Sequence, residues 1–275
     1  MPTPADVPDV DGMPMFGLGT WENKDPKECT TSVKTALELG YRHIDTAQIY
    51  RNEAAVGEGI AAADVSREDI FLATKVWISR LGAKRVYEET EKSLEKLGTE
   101  YVDLLYVHWP AGEYDPEATL PEFERLRADG LTRHIGVSNF EPHHVERARE
   151  LLDAPIFANQ VEIHPFLPQH ELRAFAAETD LPLVAYSPLA RGGVLSNPTI
   201  SEIADKHAVS EPQVSLAWLR QHGITAIPKA TSKAHLQDNW ESLSLELEQS
   251  DIEAINAIDR RQRTVNPDFG PAAWN

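Results

Sequence analysis

The sequence predicts an α/β protein, a (β/α)8 TIM barrel forming a single domain over residues 1–275 with a short C-terminal tail over the barrel mouth. About eight short apolar runs each precede at least one helical segment, and strict alternation of strand and helix is typical of a parallel sheet. The period of roughly 30 residues recurs without sequence repetition, which argues against a solenoid. No linker rich in Pro, Gly or Ser divides the 275 residues, and this length suits one barrel of about 250 residues. An open doubly wound sheet is the structural alternative.

Each predicted strand is a short apolar run that gives way to a polar residue or a proline, as a buried parallel strand does on reaching its loop. In chain order the predicted strands are Met15–Gly19, Tyr41–Ile44, Ile70–Thr74, Tyr101–Val107, His134–Val137, Phe157–Ile163, Leu183–Ala185 and Ile224–Ile227.

The predicted helices have apolar residues at helical spacing. Pro26 suits the opening turn of the first helix, and Gly40 follows its end, where glycine adopts the required backbone at little cost. In chain order the predicted helices are Pro26–Leu39, Glu53–Ala63, Lys84–Leu97, Leu120–Asp129, Pro142–Leu152, Glu171–Thr179, Ile200–His207, Gln213–His222, Leu236–Leu243 and Ile252–Asp259. The tail, Arg263–Asn275, is predicted to be irregular.

The composition narrows the class of function. A formal net charge of −18 would repel nucleic acid and anionic membranes, so we expect neither as a partner. The chain has no run of about 20 apolar residues that would predict a membrane span. The single cysteine and the lack of a signal pattern at the N-terminus predict a cytoplasmic protein. The acidic surface also suggests a high-salt habitat, a hypothesis under which folding and activity persist in molar salt.

Polar side chains recur where the predicted strands end. Taken singly, each has an ordinary reading as a loop charge, a core histidine or a packing residue. In a parallel barrel, however, the loops after the strands converge on one face, where active sites lie. The sequence therefore predicts one cluster, with Tyr50 in the loop after the second strand and the strand-end residues Asp45, Lys75, His108, Asn139, Gln160, Tyr186 and Lys229.

The combination of Asp, Lys, Tyr and His suggests proton transfer to or from an oxygen. We expect the Lys75 ammonium to favour the phenolate of Tyr50 and so to lower its pKa from about 10. Asp45 would hold Lys75, and His108 would hydrogen-bond the same substrate oxygen. The hydride must come from elsewhere. Tyr186 could stack on a nicotinamide ring, whose carboxamide Asn139 and Gln160 could hold.

At these residues the chain resembles the aldo-keto reductase superfamily. Three motifs carry the likeness in order: Gly40–Ala47 with Tyr50, then Gly136–Phe140, then Ile227–Lys229. Within the superfamily the chain is most similar to the prokaryotic 2,5-diketo-D-gluconate reductases, which also reduce methylglyoxal and other small carbonyls. The resemblance implies a monomeric (β/α)8 enzyme that binds NADPH first and reduces small aldehydes and ketones to alcohols.

The resemblance also implies a role for each matching residue. Tyr50 is the implied proton donor, supported by Asp45, Lys75 and His108. The implied cofactor residues are Ser138, Asn139 and Gln160 at the nicotinamide amide, Tyr186 on the ring, Ser187, Leu189 and Arg191 near the pyrophosphate, Lys229 and Ser232 at the 2′-phosphate, and Asn239 at the adenine. The implied walls of the substrate pocket are Trp21, Trp77, Trp109 and Trp274.

One departure from the family pattern concerns the 2′-phosphate. Many members have Arg where His235 stands and Ser where Ala230 stands. Arg binds phosphate through two parallel hydrogen bonds and is always charged, whereas His does neither reliably. We therefore expect NADPH to be favoured through Lys229, with NADH also accepted.

Two other functions stay open from the sequence. One is a non-catalytic barrel that binds nicotinamide nucleotide as a redox sensor; the other is a metal-dependent hydrolase, although the first strand lacks a His-x-His pair. We expect no metal site, and we interpret His143 and His144 as exposed residues without a carboxylate at metal spacing. The run Gly57-Glu58-Gly59 matches a dinucleotide fingerprint, but no strand precedes it, so we expect its glycines to permit close helix packing.

Overall fold

The computed structural model describes residues 2–271 and contains ten strands and ten α-helices in this range. None of the helices within the described residues is long and apolar enough to cross a membrane. The strands are β1 Asp9–Val10, β2 Met13–Pro14, β3 Leu18–Gly19, β4 His43–Asp45, β5 Phe71–Val76, β6 Val102–Val107, β7 Thr132–Ser138, β8 Ile156–Glu162, β9 Leu183–Tyr186 and β10 Thr225–Ala226. The helices are α1 Pro26–Leu39, α2 Glu53–Ala61, α3 Ala83–Leu97, α4 Pro116–Ala128, α5 Pro142–Leu151, α6 His170–Glu178, α7 Pro198–His207, α8 Glu211–Gln221, α9 Lys233–Glu241 and α10 Gln249–Asn256.

Strands β3 to β10 form one parallel sheet in which each strand pairs with the next along the chain. The sheet closes on itself where the segment before β3 meets β10. The N–H of Gly17 donates to the carbonyl of Ala226 at 2.9 Å, and the N–H of Ala226 donates to Met15 at 3.0 Å. This closure confirms the predicted barrel and excludes the open doubly wound sheet.

The barrel interior is filled by side chains, as in other barrels of this size. Two aromatic rings, Phe71 and Phe157, stack inside it with their centroids 5.9 Å apart. Met13, fully buried, belongs to the same cluster and comes from the hairpin β1–β2 at the base of the barrel. A larger set of apolar side chains, on the opposite strand faces and on the helices, forms the second core between the sheet and the helices.

The hairpin β1–β2 was not predicted. Its turn contains Asp11 and Gly12, both with positive φ (51° and 84°). An Asp-Gly pair between short extended segments is a hairpin signal that the sequence does carry. Each strand has only two residues, too few for the alternating pattern by which strands are recognised.

Some helix boundaries also differ from the prediction. Helix α1 has the predicted bounds, because Asp25 accepts from the N–H of Glu28 at 2.9 Å and Gly40 follows its end with φ 120°. Helix α4 instead begins four residues early, at Pro116 rather than Leu120. The carboxylate of Asp115 caps it by accepting from the Glu117 N–H at 3.2 Å. Helix α10 covers Gln249–Asn256 and so begins and ends three residues before its predicted bounds.

The glycines of α2 pack closely against neighbouring helices, which confirms their predicted role. A Cβ built on Gly57 would lie 2.5 Å from the carbonyl oxygen of Leu97, and one on Gly59 would lie 2.7 Å from Cβ of Val33. These distances are too short for real contacts, so α2 would have to move away from α1 and α3.

We expect Gly57→Ala to lower the free energy of unfolding by about 1–3 kcal/mol, because the added methyl meets backbone that cannot rotate away. Urea denaturation followed by circular dichroism measures the change. Gly82→Ala is the matched control, since its Cβ would meet only the flexible Glu113 side chain, at 3.1 Å. Equal stability of the Gly57 variant and the native protein would contradict this account of the packing.

Candidate active site

A cavity of about 780 Å³ opens at the carboxyl ends of the strands. Its size lies in the range of small-molecule sites, about 300–1,000 Å³. Most of the residues predicted from the sequence line it together, namely Trp21, Asp45, Tyr50, Trp77, His108, Trp109, Ser138, Asn139, Gln160, Tyr186, Ser187, Leu189, Arg191 and Lys229. Lys75 lies directly beneath this lining.

An ion pair lies at the floor of the cavity. Lys75 on β5 is fully buried, and its Nζ donates to Oδ1 of Asp45, the last residue of β4, at 2.5 Å. The same Nζ donates to the Thr46 carbonyl at 2.8 Å and to the Tyr50 hydroxyl at 3.4 Å. These three acceptors match the three N–H groups of an ammonium. The buried charge of Asp45 is thereby paired, as its burial requires.

Tyr50 is held in place by the short 3-10 turn that it ends, Gln48–Tyr50. The side-chain amide of Gln48 donates to the Glu89 carbonyl at 3.0 Å, and its oxygen accepts from the Trp77 N–H at 3.1 Å. Arg51 then leaves the turn with φ 59°, in the left-handed region. The turn is thus fixed from both sides, and the phenol of Tyr50 projects between Lys75 and the cavity.

The expectation that Lys75 lowers the pKa of Tyr50 is wrong. Burial of the phenol raises the pKa of Tyr50 well above 10, and the carboxylate of Asp45 raises it further. Burial also lowers the pKa of Lys75, with Asp45 acting in the opposite direction. Because Lys75 is paired with Asp45, its charge is largely compensated at the distance of the phenol. Tyr50 therefore rests as a neutral phenol that can donate a proton.

His108 lies beside the phenol with its ring edge-on to two neighbours. Its ring centroid is 5.8 Å from that of Tyr50 and 5.1 Å from that of Trp77. Burial lowers the pKa of His108 well below 6.5, and the charge of Lys75 acts in the same direction. The imidazole is consequently neutral at physiological pH, so it can act as a hydrogen-bond donor without adding a charge.

A set of linked polar side chains borders the ion pair. Tyr186 donates from its hydroxyl to Oδ1 of Asn139 at 2.8 Å, and Nδ2 of Asn139 donates to Oγ of Ser138 at 3.0 Å. The amide of Gln160 donates to Oδ2 of Asp45 at 2.7 Å. Gln160 therefore fixes the second oxygen of Asp45, a contact that the sequence analysis did not foresee because it joins residues 115 positions apart.

The outer wall of the cavity is aromatic. Phe269 in the tail lies edge-on to Trp77 and to Trp109, with ring centroids 5.7 and 5.5 Å apart. Across the opening, the guanidinium of Arg191 lies 4.5 Å from the centre of the Trp21 ring. Trp274 falls outside the described residues. The lining residues that were not predicted as site residues are Gly19, Glu22, Ile49, Pro188, Gly192, Ile227, Pro228, Val265, Pro267 and Phe269.

Three of the predicted cofactor residues do not line this cavity. Ser232 caps helix α9, its hydroxyl accepting from the N–H of His235 at 3.2 Å. Both of these side chains are exposed, whereas Asn239 is buried further along the same helix. Lys229 is the member of the predicted 2′-phosphate set that lines the cavity, and its side chain is exposed there.

The expectation for His143 and His144 is wrong in two respects. A carboxylate does lie close, because Oε2 of Glu141 is 3.7 Å from Nδ1 of His143. His143 is exposed, as predicted, but His144 is only partly exposed, and its Nδ1 accepts from the backbone N–H of Glu141 at 3.3 Å. Burial lowers the pKa of His144 to about 4, and the neighbouring His143 acts in the same direction. Glu141 was not identified from the sequence because it precedes the helix.

The chain is similar to several known proteins. The model of the Aldo/keto reductase family matches residues 12–260. The chain is 42% identical over 257 residues to a glyoxal reductase of Bacillus subtilis (strain 168), a match that covers 93% of each chain. Among solved structures, a putative 2,5-diketo-D-gluconic acid reductase B superposes with a TM-score of 0.92 at 36% identity, covering 95% of this chain and 94% of that one. A Bombyx mori aldo-keto reductase in complex with NADP gives a TM-score of 0.87 at 31% identity, with coverages of 94% and 95%.

Proposed function

Because the chain belongs to the aldo/keto reductase family, we propose that it reduces small aldehydes and ketones to alcohols with NADPH. Methylglyoxal and 2,5-diketo-D-gluconate represent the proposed substrate class, in line with the relatives named as glyoxal and 2,5-diketo-D-gluconic acid reductases. The observation that carries the proposal is the contact of 3.4 Å between Nζ of a buried Lys75 and the hydroxyl of Tyr50, at the floor of the cavity.

In the proposed reaction Tyr50 donates its proton to the carbonyl oxygen of the substrate. The phenol is neutral at rest, and the proton moves as negative charge develops on that oxygen. Lys75 then stabilises the phenolate through the hydrogen bond that it already donates. Asp45, fixed by Gln160, keeps Lys75 in position. His108 donates a hydrogen bond to the same substrate oxygen and orients the carbonyl. A positioned acid of this kind contributes about 10²–10⁴ in rate.

The residues of the cavity suit a nicotinamide nucleotide. Tyr186 offers an aromatic surface for the ring, and Asn139 and Gln160 offer amide groups for its carboxamide. Two cationic side chains, Arg191 and Lys229, line the same cavity in a chain of net charge −18, which favours an anionic ligand there. When bound, the reduced nicotinamide supplies a hydride. Ser138, Ser187 and Leu189 complete the proposed cofactor contacts, with Ser232, His235 and Asn239 at the more distant end.

We expect NADPH to be preferred over NADH by less than about a thousandfold in kcat/KM, because the proposed 2′-phosphate site has Lys229 but no arginine at position 235. A Lys side chain attracts the phosphate as a point charge, whereas an Arg forms two parallel hydrogen bonds that also fix the orientation of the phosphate. Initial rates with each cofactor at a fixed concentration of methylglyoxal measure the ratio. His235→Arg should raise the preference for NADPH, and a native preference above about a thousandfold would contradict a weakened clamp.

The test of the function itself is the steady oxidation of NADPH in the presence of methylglyoxal, followed by absorbance. A redox-sensing barrel would bind NADPH without turnover. A metal-dependent hydrolase would lose its activity in the presence of a chelator, whereas the proposed reduction would survive.

We also propose that the protein is a single-domain monomer and that it is located in the cytoplasm. The high-salt habitat stays a prediction of the sequence.

A further inference from the structure

A buried carboxylate at the end of β8 is bonded to the C-terminal tail. Glu162 is fully buried, and its Oε1 accepts from the N–H of Thr264 at 2.7 Å and from the Thr264 hydroxyl at 2.6 Å. Its Oε2 accepts from the N–H of Val265 at 2.9 Å. Two consecutive backbone amides and a hydroxyl of the tail therefore converge on one side chain.

A histidine two residues after Glu162 makes a further contact with this carboxylate. Nδ1 of His164 accepts from the backbone N–H of Phe166 at 3.2 Å, so in the neutral ring the proton is on Nε2. Nε2 lies 2.9 Å from Oε1 of Glu162 and donates to it. Burial acts to raise the pKa of Glu162, whereas the hydrogen bonds from His164, Thr264 and Val265 act to lower it. The hydrogen bonds have the larger combined effect, so the pKa of Glu162 lies below its ordinary value. The side chain is thus an ionised acceptor, and charge-assisted bonds of this kind are stronger than neutral ones.

The tail segment held in this way continues directly into the cavity wall. Val265 and Pro267 line the cavity, and four residues after Val265 the ring of Phe269 lies between Trp77 and Trp109. Phe269 is 38% exposed, so these edge-on contacts alone do not bury it. Edge-to-face packing of three rings creates an apolar surface that suits a flat apolar group. The position of this surface depends on where the tail leaves Glu162.

We propose that Glu162 is a positioning residue: by anchoring Thr264 and Val265 it sets Phe269 against Trp77 and Trp109, and it thereby favours carbonyl substrates that carry an aromatic substituent. This inference rests on the proposed carbonyl reduction. Glu162 acts through the tail and does not contact the reacting atoms. Glu162 lies within the predicted strand Phe157–Ile163 and was given no role there, because a partner 102 residues away cannot be inferred from the sequence pattern.

The test compares the native protein with Glu162→Gln, which keeps the size of the side chain and removes its charge. We expect the Thr264 and Val265 amides to exchange hydrogen at least about tenfold faster in the variant. We expect KM for phenylglyoxal to rise about tenfold and KM for methylglyoxal to rise less, with kcat lowered less than about threefold. Glu178→Gln, an exposed carboxylate on α6, is the matched control and should change neither readout.

Two further variants separate the steps. Phe269→Ala should raise KM for phenylglyoxal while leaving amide exchange at Thr264 and Val265 unchanged, because it removes the ring and keeps the anchor. Thr264→Val removes one of the bonds to Glu162 and should give an intermediate result, which keeps the test valid if Glu162→Gln does not fold. Native exchange rates in a folded Glu162→Gln would overturn the anchor. Faster exchange with unchanged KM values would overturn the effect on substrate. A native protein that reduces no carbonyl compound would refute the proposed function, while amide exchange would still report on the anchor.

Discussion

Tyr50→Phe is expected to lower kcat for carbonyl reduction by about 10²–10⁴-fold, because it removes the proposed proton donor and leaves the ring in place. The dissociation constant of NADPH should change less than about twofold, since the lost hydroxyl faces Lys75 and the substrate oxygen. Initial-rate assays with methylglyoxal measure kcat, and a fluorescence titration with NADPH measures the dissociation constant.

The pH dependence of the native protein is a separate test. Because the pKa of Tyr50 is raised above 10, kcat of the native protein should not fall through ionisation of the Tyr50 phenol as the pH rises from about 7 to about 9.

Tyr87→Phe is the matched control for this variant. The Tyr87 hydroxyl donates to Asp129 at 2.9 Å near the protein surface, and neither residue lines the cavity. The substitution makes the same chemical change, so activity should stay at the native level. If Tyr50→Phe retained a tenth or so of native activity, another group would have to donate the proton, and His108 would be the nearest candidate.

Lys75→Met is expected to abolish turnover and also to destabilise the fold. It leaves the Asp45 carboxylate buried without its cation, and removing one partner of a buried pair costs about 3–5 kcal/mol. It also removes the group proposed to stabilise the phenolate of Tyr50. Urea denaturation and kcat with methylglyoxal measure the two effects separately.

The double variant Lys75→Met, Asp45→Asn distinguishes the two roles of Lys75. It removes the uncompensated charge, so part of the lost stability should return, while activity stays absent. Lys206→Met is a control at the surface, where Lys206 bonds Glu248 and Asp251 with 42% of its side chain exposed; it should leave kcat unchanged. Native activity in the double variant would contradict the proposed role of Lys75.

The sequence predicts the gathering of Asp45, Lys75 and His108 because of a general property of parallel barrels. Each of these residues follows or ends an apolar strand, and the carboxyl ends of all such strands meet on one face. The alternation of strand and helix is therefore enough to predict these residues at the floor of the site, without knowledge of the course of any loop.

The pKa of Tyr50 could not be predicted in the same way. Its direction depends on whether the charge of Lys75 or the loss of water dominates, and both depend on distances. In the structure Lys75 lies 2.5 Å from Asp45 and 3.4 Å from the phenol. The closer carboxylate compensates the ammonium, so burial decides the result.

The positions of the tail side chains could not be predicted from the sequence, for a different reason. Residues 263–271 form no helix or strand, so no periodicity indicates which of their side chains face the barrel. The position of Phe269 follows from the bonds between Glu162 and Thr264, which join distant parts of the chain. The family motifs predict tryptophans for the pocket wall. They do not predict Phe269, because its position depends on the distant carboxylate of Glu162.

The packed interior above the hairpin β1–β2 closes the barrel at the end opposite the active-site cavity. Met13, Phe71 and Phe157 fill the space below the ion pair of Asp45 and Lys75. A molecule that reaches Tyr50 must therefore arrive from the rim, and it must depart by the same route. In the proposed reaction the nucleotide, the carbonyl compound and the alcohol would all have to pass through this one opening.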